Sequence, residues 1–250
     1  MTESGKAAVV AIDGPSGAGK GTIARRVAME LGFAFLDSGA VYRAAALHCV
    51  RSGVDLADDQ AAAGLIDGLD LHFKQVPAGE DDAMPMQRVF LGGVDVSSEL
   101  RSETAADAAS RIAVLPGVRK RLLSVQRDFL KAPGLVADGR DMGTVVFPEA
   151  HVKIFMTASA RIRAERRLRQ LKELGIEAKL AGLMQEIETR DLRDSTRIHA
   201  PLVAAKDAKT VDTTGLDVDA AVDLVLDHVR KTLGSKVAGG VGVGDAPGVC

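Results

Sequence analysis

The chain predicts an α/β fold, a mainly parallel sheet flanked by helices, and three observations carry that prediction. Short apolar runs without polar alternation, Val9-Val10-Ala11-Ile12 first among them, read as buried strands. Helical spacing follows such runs, as at Ile23, Val27 and Leu31. One stretch breaks the alternation with three short β-like segments and no helix between them, so a small antiparallel sheet is expected as an insertion.

In chain order, the sheet strands are expected at 7–12, 33–36, 135–137, 151–156 and 210–211. Helices are expected at 20–31, 41–51, 118–130 and 218–233, with Pro116 near the start of the third. The β-like segments lie at 69–74, 88–91 and 94–97, and an acidic loop at 76–86 separates the first two. The expected organisation is a core made of 1–40, 117–157 and 200–236, interrupted by an insertion at 41–116. A charged, helical second insertion at 158–199 has the character of a lid that opens and closes over substrate. Residues 237–250 are glycine-rich and poor in bulky side chains, and are expected to be a disordered tail; residues 1–6 are expected to fray.

With 250 residues, 46% of them hydrophobic and 26% charged, the composition is that of a globular protein able to bury a core. A net charge of -2 supplies no whole-molecule attraction to nucleic acid or membranes, so any anion site must be local. No apolar run reaches transmembrane length and no basic-then-apolar leader opens the sequence, which predicts a cytoplasmic protein. Cys49 reads as a buried thiol and Cys250 as a tail thiol, not as a disulfide pair. His48, His72, His151, His199 and His228 have no metal-ligand spacing.

The most informative segment runs Gly14-Pro15-Ser16-Gly17-Ala18-Gly19-Lys20-Gly21-Thr22, between the first strand and the first helix. Glycines let consecutive backbone N–H groups curl around an anion, and the following helix turns its positive dipole end to the same place. Lys20 adds a cation beside the outer phosphates of a nucleoside triphosphate, and Thr22 a hydroxyl close to magnesium. The segment fits G-x-x-x-x-G-K, but Gly21 stands where the general pattern has Ser or Thr, and the hydroxyl comes one residue later. That G-K-G-T ending is the variant seen in small nucleotide kinases.

Three further clusters qualify as candidates. Asp37-Ser38-Gly39-Ala40-Val41-Tyr42-Arg43 follows the second strand, where open α/β sheets bind ligands; taken in isolation it reads more readily as a helix cap at Asp37 or Ser38 with a solvated Arg43. Asp138-Gly139-Arg140-Asp141-Met142-Gly143 follows the third sheet strand, where Asp138 occupies the place of a magnesium-side carboxylate, although Asp-Gly is also a turn dipeptide. Arg190, Asp194 and Arg197 have the i, i+4, i+7 spacing of one helix face, which describes a salt-bridge ladder as well as a ligand-facing stripe. In the lid, Arg161, Arg163, Arg166, Arg167 and Arg169 divide between a solvated face and cations that close on a triphosphate.

Two other classes meet obstacles. A GTPase switch would need an N-K-x-D motif, and the chain contains no asparagine; Asp212-Thr213-Thr214-Gly215 matches D-x-x-G but lies after the last core strand, where a turn is the simpler reading. A nucleic-acid-binding module would rest on the lid arginines alone, with one tyrosine and no tryptophan for stacking.

Taken together, GPSGAGKGT (14–22), LDSGAVYR (36–43), ADGRDMGTVVFP (137–148), KIFMTA (153–158) and RDLRDSTR (190–197) resemble the cytidylate kinases, (d)CMP kinases of the nucleoside monophosphate kinase superfamily. The resemblance implies a P-loop kinase core, an NMP-binding insertion and a helical lid, acting as a monomer on CMP and dCMP with ATP and Mg²⁺. It implies that 14–22 hold ATP, that Thr22 and Asp138 serve the metal, and that Lys20, Arg43, Arg140 and Arg197 are catalytic. Arg43, Arg140 and Arg197 would meet the acceptor phosphate, and Arg190 and Asp194 the ribose. Ser38 would lie beside the acceptor, and Ser110, Arg119 and Asp141 would contact cytosine. A carboxylate suits the amino group at position 4 of cytosine and a guanidinium suits N3 and O2, so the chemistry agrees with that assignment.

Overall fold

In the computed structural model, residues 7–76, 86–173 and 175–234 are described. The expected tail, the fraying start and nearly all of the acidic loop, together with Cys250, lie outside them. These residues divide into two compact units, one drawn from 7–36, 129–196 and 200–234, the other from 37–128 with 197–199.

The first unit is built on a five-stranded sheet of order β2-β6-β1-β7-β8. Its strands are β1 (Ala8–Asp13), β2 (Ala34–Asp37), β6 (Gly134–Gly139), β7 (Val152–Thr157) and β8 (Lys209–Asp212). β1 pairs in parallel with β6 and β7, and β7 with β8. A central strand of a parallel sheet is covered on both faces, which explains why β1 is apolar without alternation. Val10, Ile12, Val136, Ile154 and Met156 pack against α1 (Lys20–Leu31) and α8 (Val218–Leu233) through Ile23, Val27, Val225 and Val229. Asp217 caps α8 by accepting from the Ala220 N–H.

The charged segment after β7 forms two helices, α6 (Ala160–Glu173) and α7 (Leu180–Ser195), joined through Ala164, Leu168, Leu171, Leu183, Met184 and Ile187. Leu180 of α7 joins the same short apolar seam, and charged residues dominate the rest of both helices.

In the second unit, α2 (Ser38–Arg51), α3 (Asp59–Ile66), α4 (Glu103–Ile112) and α5 (Pro116–Arg127) accompany an antiparallel sheet of β3 (Leu71–Val76), β4 (Met86–Leu91) and β5 (Val94–Asp95). Ala40, Ala44 and Leu47 of α2 pack on Val89, Leu91 and Val96. α2 starts three residues earlier than its apolar spacing suggests, because Asp37 accepts from the Ala40 N–H and fixes the first turn. α5 opens on Pro116, and Asp59 accepts from the Gly117 and Val118 N–H groups at 2.9 and 3.1 Å, a cap contributed by another helix. α5 also stops at Arg127, three residues short of the expected end. No helix among the described residues is long and apolar enough to cross a membrane.

Candidate active site

The connection from β1 to α1 is a backbone-built cradle. Gly14 has φ +149° and a Cβ there would sit 2.0 Å from the Met156 carbonyl oxygen, so no other residue fits. Gly19 caps α1 with a left-handed φ of 88°. The carbonyls of the loop are turned onto protein donors. Pro15 accepts from Lys20 Nζ at 2.7 Å, Ser16 from Arg163 Nη1 at 3.1 Å, and Ala18 from the Thr213 hydroxyl at 3.0 Å. Pinning carbonyls in this way gives the loop its anion-facing sense, since the N–H groups take the other side. Thr22 is exposed on the first turn of α1.

Gly21, the departure from the general motif, has a local reason. A Cβ at Gly21 would lie 3.3 Å from Asp138 Oδ2, so the residue next to Lys20 is small where the Asp138 carboxylate comes over the helix start. Lys20 is 5% exposed. Burial and the like charge of Arg140 push its ammonium well below the ordinary lysine range, while Asp138 and Asp13 oppose that shift and Arg190 adds to it. The cation therefore stands in a cluster of two carboxylates and two guanidiniums.

β6 continues through Asp138 to Gly139, so the Asp138-Gly139 pair is strand and not the turn that its composition also permits. Arg140 and Asp141 follow, and then one turn of π-helix over Met142–Val146, with N–H groups of Val146 and Phe147 bonded five residues back to Asp141 and Met142. Single π-turns occur preferentially at functional sites. Arg140 Nε donates to Asp194 Oδ2 at 3.0 Å, and Asp141 is 4% exposed.

The stripe expected along one helix face is corrected here. α7 ends at Ser195 with Thr196 as its cap, so Arg190 and Asp194 share the helix but Arg197 lies beyond it. Asp194 also reaches out to Arg140, which a purely intrahelical ladder does not explain.

The arginines of α6, expected to belong to a lid, separate by their contacts. Arg163 is 4% exposed and donates to the Ala158 carbonyl, the Ser16 carbonyl and both oxygens of Asp191, so it braces the cradle instead of facing solvent. Arg161 pairs with Glu165 on the surface. Arg166 donates to the Thr213 hydroxyl and carbonyl. Beside it, Ile162, Glu165, Arg166, Arg169, Thr214 and Leu216 line a cavity of about 210 Å³.

Two residues of this region escape a motif search. Thr213, 1% exposed, links the Ala18 and Thr157 carbonyls, yet its sequence neighbourhood reads only as a turn. Asp13 accepts from the Met142 and Gly143 N–H groups, both at 2.8 Å, and appears in the sequence merely as the last residue of a strand. Burial, with Asp141 adding and the two N–H groups and Lys20 opposing, pushes its carboxyl up to about 7.

In the second unit, Asp37 both caps α2 and accepts from Arg43 Nη2 at 3.1 Å, so the cap reading and the arginine belong to one cluster. The buried Ser38 hydroxyl donates to Gln126 Oε1 at 2.7 Å. Ser110 is buried on α4, and Arg119, on the first turn of α5, donates to the Ala113 carbonyl at 3.2 Å.

The sequence model of the cytidylate kinase family matches residues 10–231. A cytidylate kinase of Methylococcus capsulatus is 51% identical over 223 residues, covering 89% of this chain and 97% of that protein. One from Vibrio parahaemolyticus is 49% identical over 230 residues, covering 92% and 99%. With the family model matching residues 10–231 and identity at this level along nearly the whole length, the chain belongs to the cytidylate kinase family.

Proposed function

We propose that the chain transfers the γ-phosphoryl group of ATP to CMP and dCMP, giving the diphosphates. The single observation that carries the reading is Lys20, buried at the mouth of a glycine cradle and facing Arg140, Arg190, Asp13 and Asp138. Such a cluster neutralises two polyanions brought together, and family membership supplies the pyrimidine nucleotide as acceptor. Residues 14–22 hold the triphosphate, and the cavity beside Arg166 accepts the donor base between Ile162, Leu216 and the guanidinium.

Asp138 and Thr22 fit magnesium in the way that ion is usually held, by one or two protein oxygens with nucleotide phosphates completing the shell. The carboxylate over the start of α1 is the observation that supports this fit. When bound, the ion would supply neutralisation of phosphate charge.

The acceptor phosphate oxygen is already anionic, so no general base is required and the chain's work is positioning and charge stabilisation. The oxygen attacks the γ-phosphorus in line, and ADP leaves. Lys20 stabilises the charge that spreads onto the transferring group. Arg43, Arg140 and Arg197 orient the acceptor phosphate, Arg190 and Asp194 the ribose. Ser38 lies beside the acceptor, and Ser110, Arg119 and Asp141 select cytosine: uracil would set a carbonyl against the Asp141 carboxylate.

The test is a coupled ADP-release assay with ATP and Mg²⁺ across CMP, dCMP, UMP, AMP, GMP and shikimate. Rapid turnover confined to CMP and dCMP is expected. Turnover with none of them would remove the acceptor assignment and leave the triphosphate cradle to be explained by another acceptor.

A further inference from the structure

Asp13 belongs to none of the phosphate-binding motifs, yet its carboxylate is fully engaged and 5% exposed. Oδ1 accepts from Met142 and Oδ2 from Gly143, the first two N–H groups of the π-turn. Register places Asp13 opposite Gly139, so the strand pair itself delivers the carboxylate to the start of the loop that carries Arg140 and Asp141. The space is filled from the far side as well. A Cβ on Gly143 would come within 3.2 Å of the Lys153 side chain and 3.4 Å of Asp13 Oδ2. Arg140 is held separately by Asp194. The two acceptor-reading residues thus lie between two fixed points, an ion pair on one side and a doubly accepting carboxylate on the other.

We propose that Asp13 is a positioning residue for acceptor selection: by holding the Met142 and Gly143 amides it fixes the Asp141 carboxylate against the base and Arg140 against the phosphate. This rests on the acceptor reading given above. The geometry calls for a carboxylate specifically. Both amides need an acceptor, and an asparagine there would offer one oxygen and turn its own N–H toward the other amide. The group also faces Asp141, which repels it, and Lys20, which attracts it, so its contacts are the product of the whole cluster.

Two variants test the proposal, Asp13→Asn and Gly143→Ala, the second crowding the same contact with no change of charge. KM for CMP and for ATP, the CMP:UMP ratio of kcat/KM, and hydrogen exchange of residues 139–147 are measured on each. A displacement of about 1 Å at a positioning group can cost ~10²-fold. The expected result is a CMP KM raised by at least ~10-fold, an ATP KM within ~3-fold of wild type, a reduced CMP:UMP ratio and faster exchange. A fall in kcat alone, with CMP KM and the ratio unchanged, overturns it, because Asp13 would then act through Lys20. Should Asp13→Asn not fold, Gly143→Ala decides by the same readings. Exchange is independent of acceptor identity: a wild type inactive on CMP, with exchange still accelerated in the variants, overturns the acceptor reading and the selection role while leaving the amide clamp.

Discussion

The cradle of the first unit and the residues of the second that are proposed to meet the pyrimidine nucleotide are assembled from different materials. The cradle is backbone: Gly14 and Gly19 have positive φ, and the Pro15, Ser16 and Ala18 carbonyls are tied to Lys20, Arg163 and Thr213. The second unit uses side chains on ordinary helices, Ser38 and Arg43 on α2, Ser110 on α4 and Arg119 on α5. The backbone site restricts its glycines in two ways: at Gly14 a Cβ would sit 2.0 Å from a carbonyl oxygen, and at Gly19, where a Cβ would meet nothing nearer than 3.7 Å, the positive φ is the obstacle. A side-chain site can be changed one contact at a time, with effects on selectivity before effects on folding.

The sharpest way to break this comparison is Gly14→Ala. A methyl group 2.0 Å from the Met156 oxygen forces the cradle or β7 to move, and a loss of several kcal/mol is expected. Thermal unfolding should show it as a large fall in Tm or failure to accumulate. A variant with wild-type Tm would mean that the cradle is not sterically fixed. Next comes Lys20→Ala, which should fold and lose roughly 10³-fold or more in kcat, as expected for removal of a group acting on transition-state charge. Since the ammonium is buried at a cost, its removal should not lower Tm; near-normal turnover would reject the catalytic role.

On the side-chain part of the pyrimidine assignment, Asp141→Ala and Arg119→Ala should each retain the fold and lose ~10²-fold in CMP:UMP discrimination, since unmatched polar groups are rejected by about that factor or more. Unchanged ratios in both would sink the cytosine assignment. The pair sharpens the comparison further: if either variant instead failed to fold, that residue would be part of the scaffold, like the glycines.

The same contrast decides what the sequence discloses. Glycines forced by φ or contact leave a fixed pattern, so the cradle and its strand–turn–helix context are legible directly. The parallel sheet, the small antiparallel sheet and the charged helices α6 and α7 are legible too, because burial on two faces, on one face and on a stripe have different periods. Ser110 and Arg119 carry no local signature, since a serine and an arginine on helices are commonplace, and they come only from the family resemblance. Arg197 shows the opposite failure: its i+7 spacing suggests a helix face, but α7 has already ended. Asp13 and Thr213 are illegible for a third reason. Their roles depend on backbone groups more than a hundred residues away, Met142 and Gly143 for one and Ala18 for the other, and nothing nearby in sequence reports such partners.

The smallest expected effect is a pH dependence of stability in the cradle region. Asp13 has its folded carboxyl raised to about 7 from the ordinary 3.8, chiefly by burial. Between those values the folded chain binds more protons at this group than the unfolded chain, so its contribution to stability falls as pH rises from about 4 to about 7. Lys20 is depressed, so from its lowered value up to the ordinary lysine range the unfolded chain holds the extra proton, and stability rises with pH there. Together the contribution of these two groups to stability is smallest near neutrality. The difference in urea midpoint between wild type and Asp13→Asn, followed from pH 5 to 7, isolates the first group: the wild type should lose stability relative to the variant as pH rises. A difference that is flat or grows in the opposite direction would show that the carboxylate is well compensated when ionised. Triphosphate binding should act on the alkaline side, because a polyanion beside Lys20 favours the charged ammonium and flattens the slope contributed by that residue.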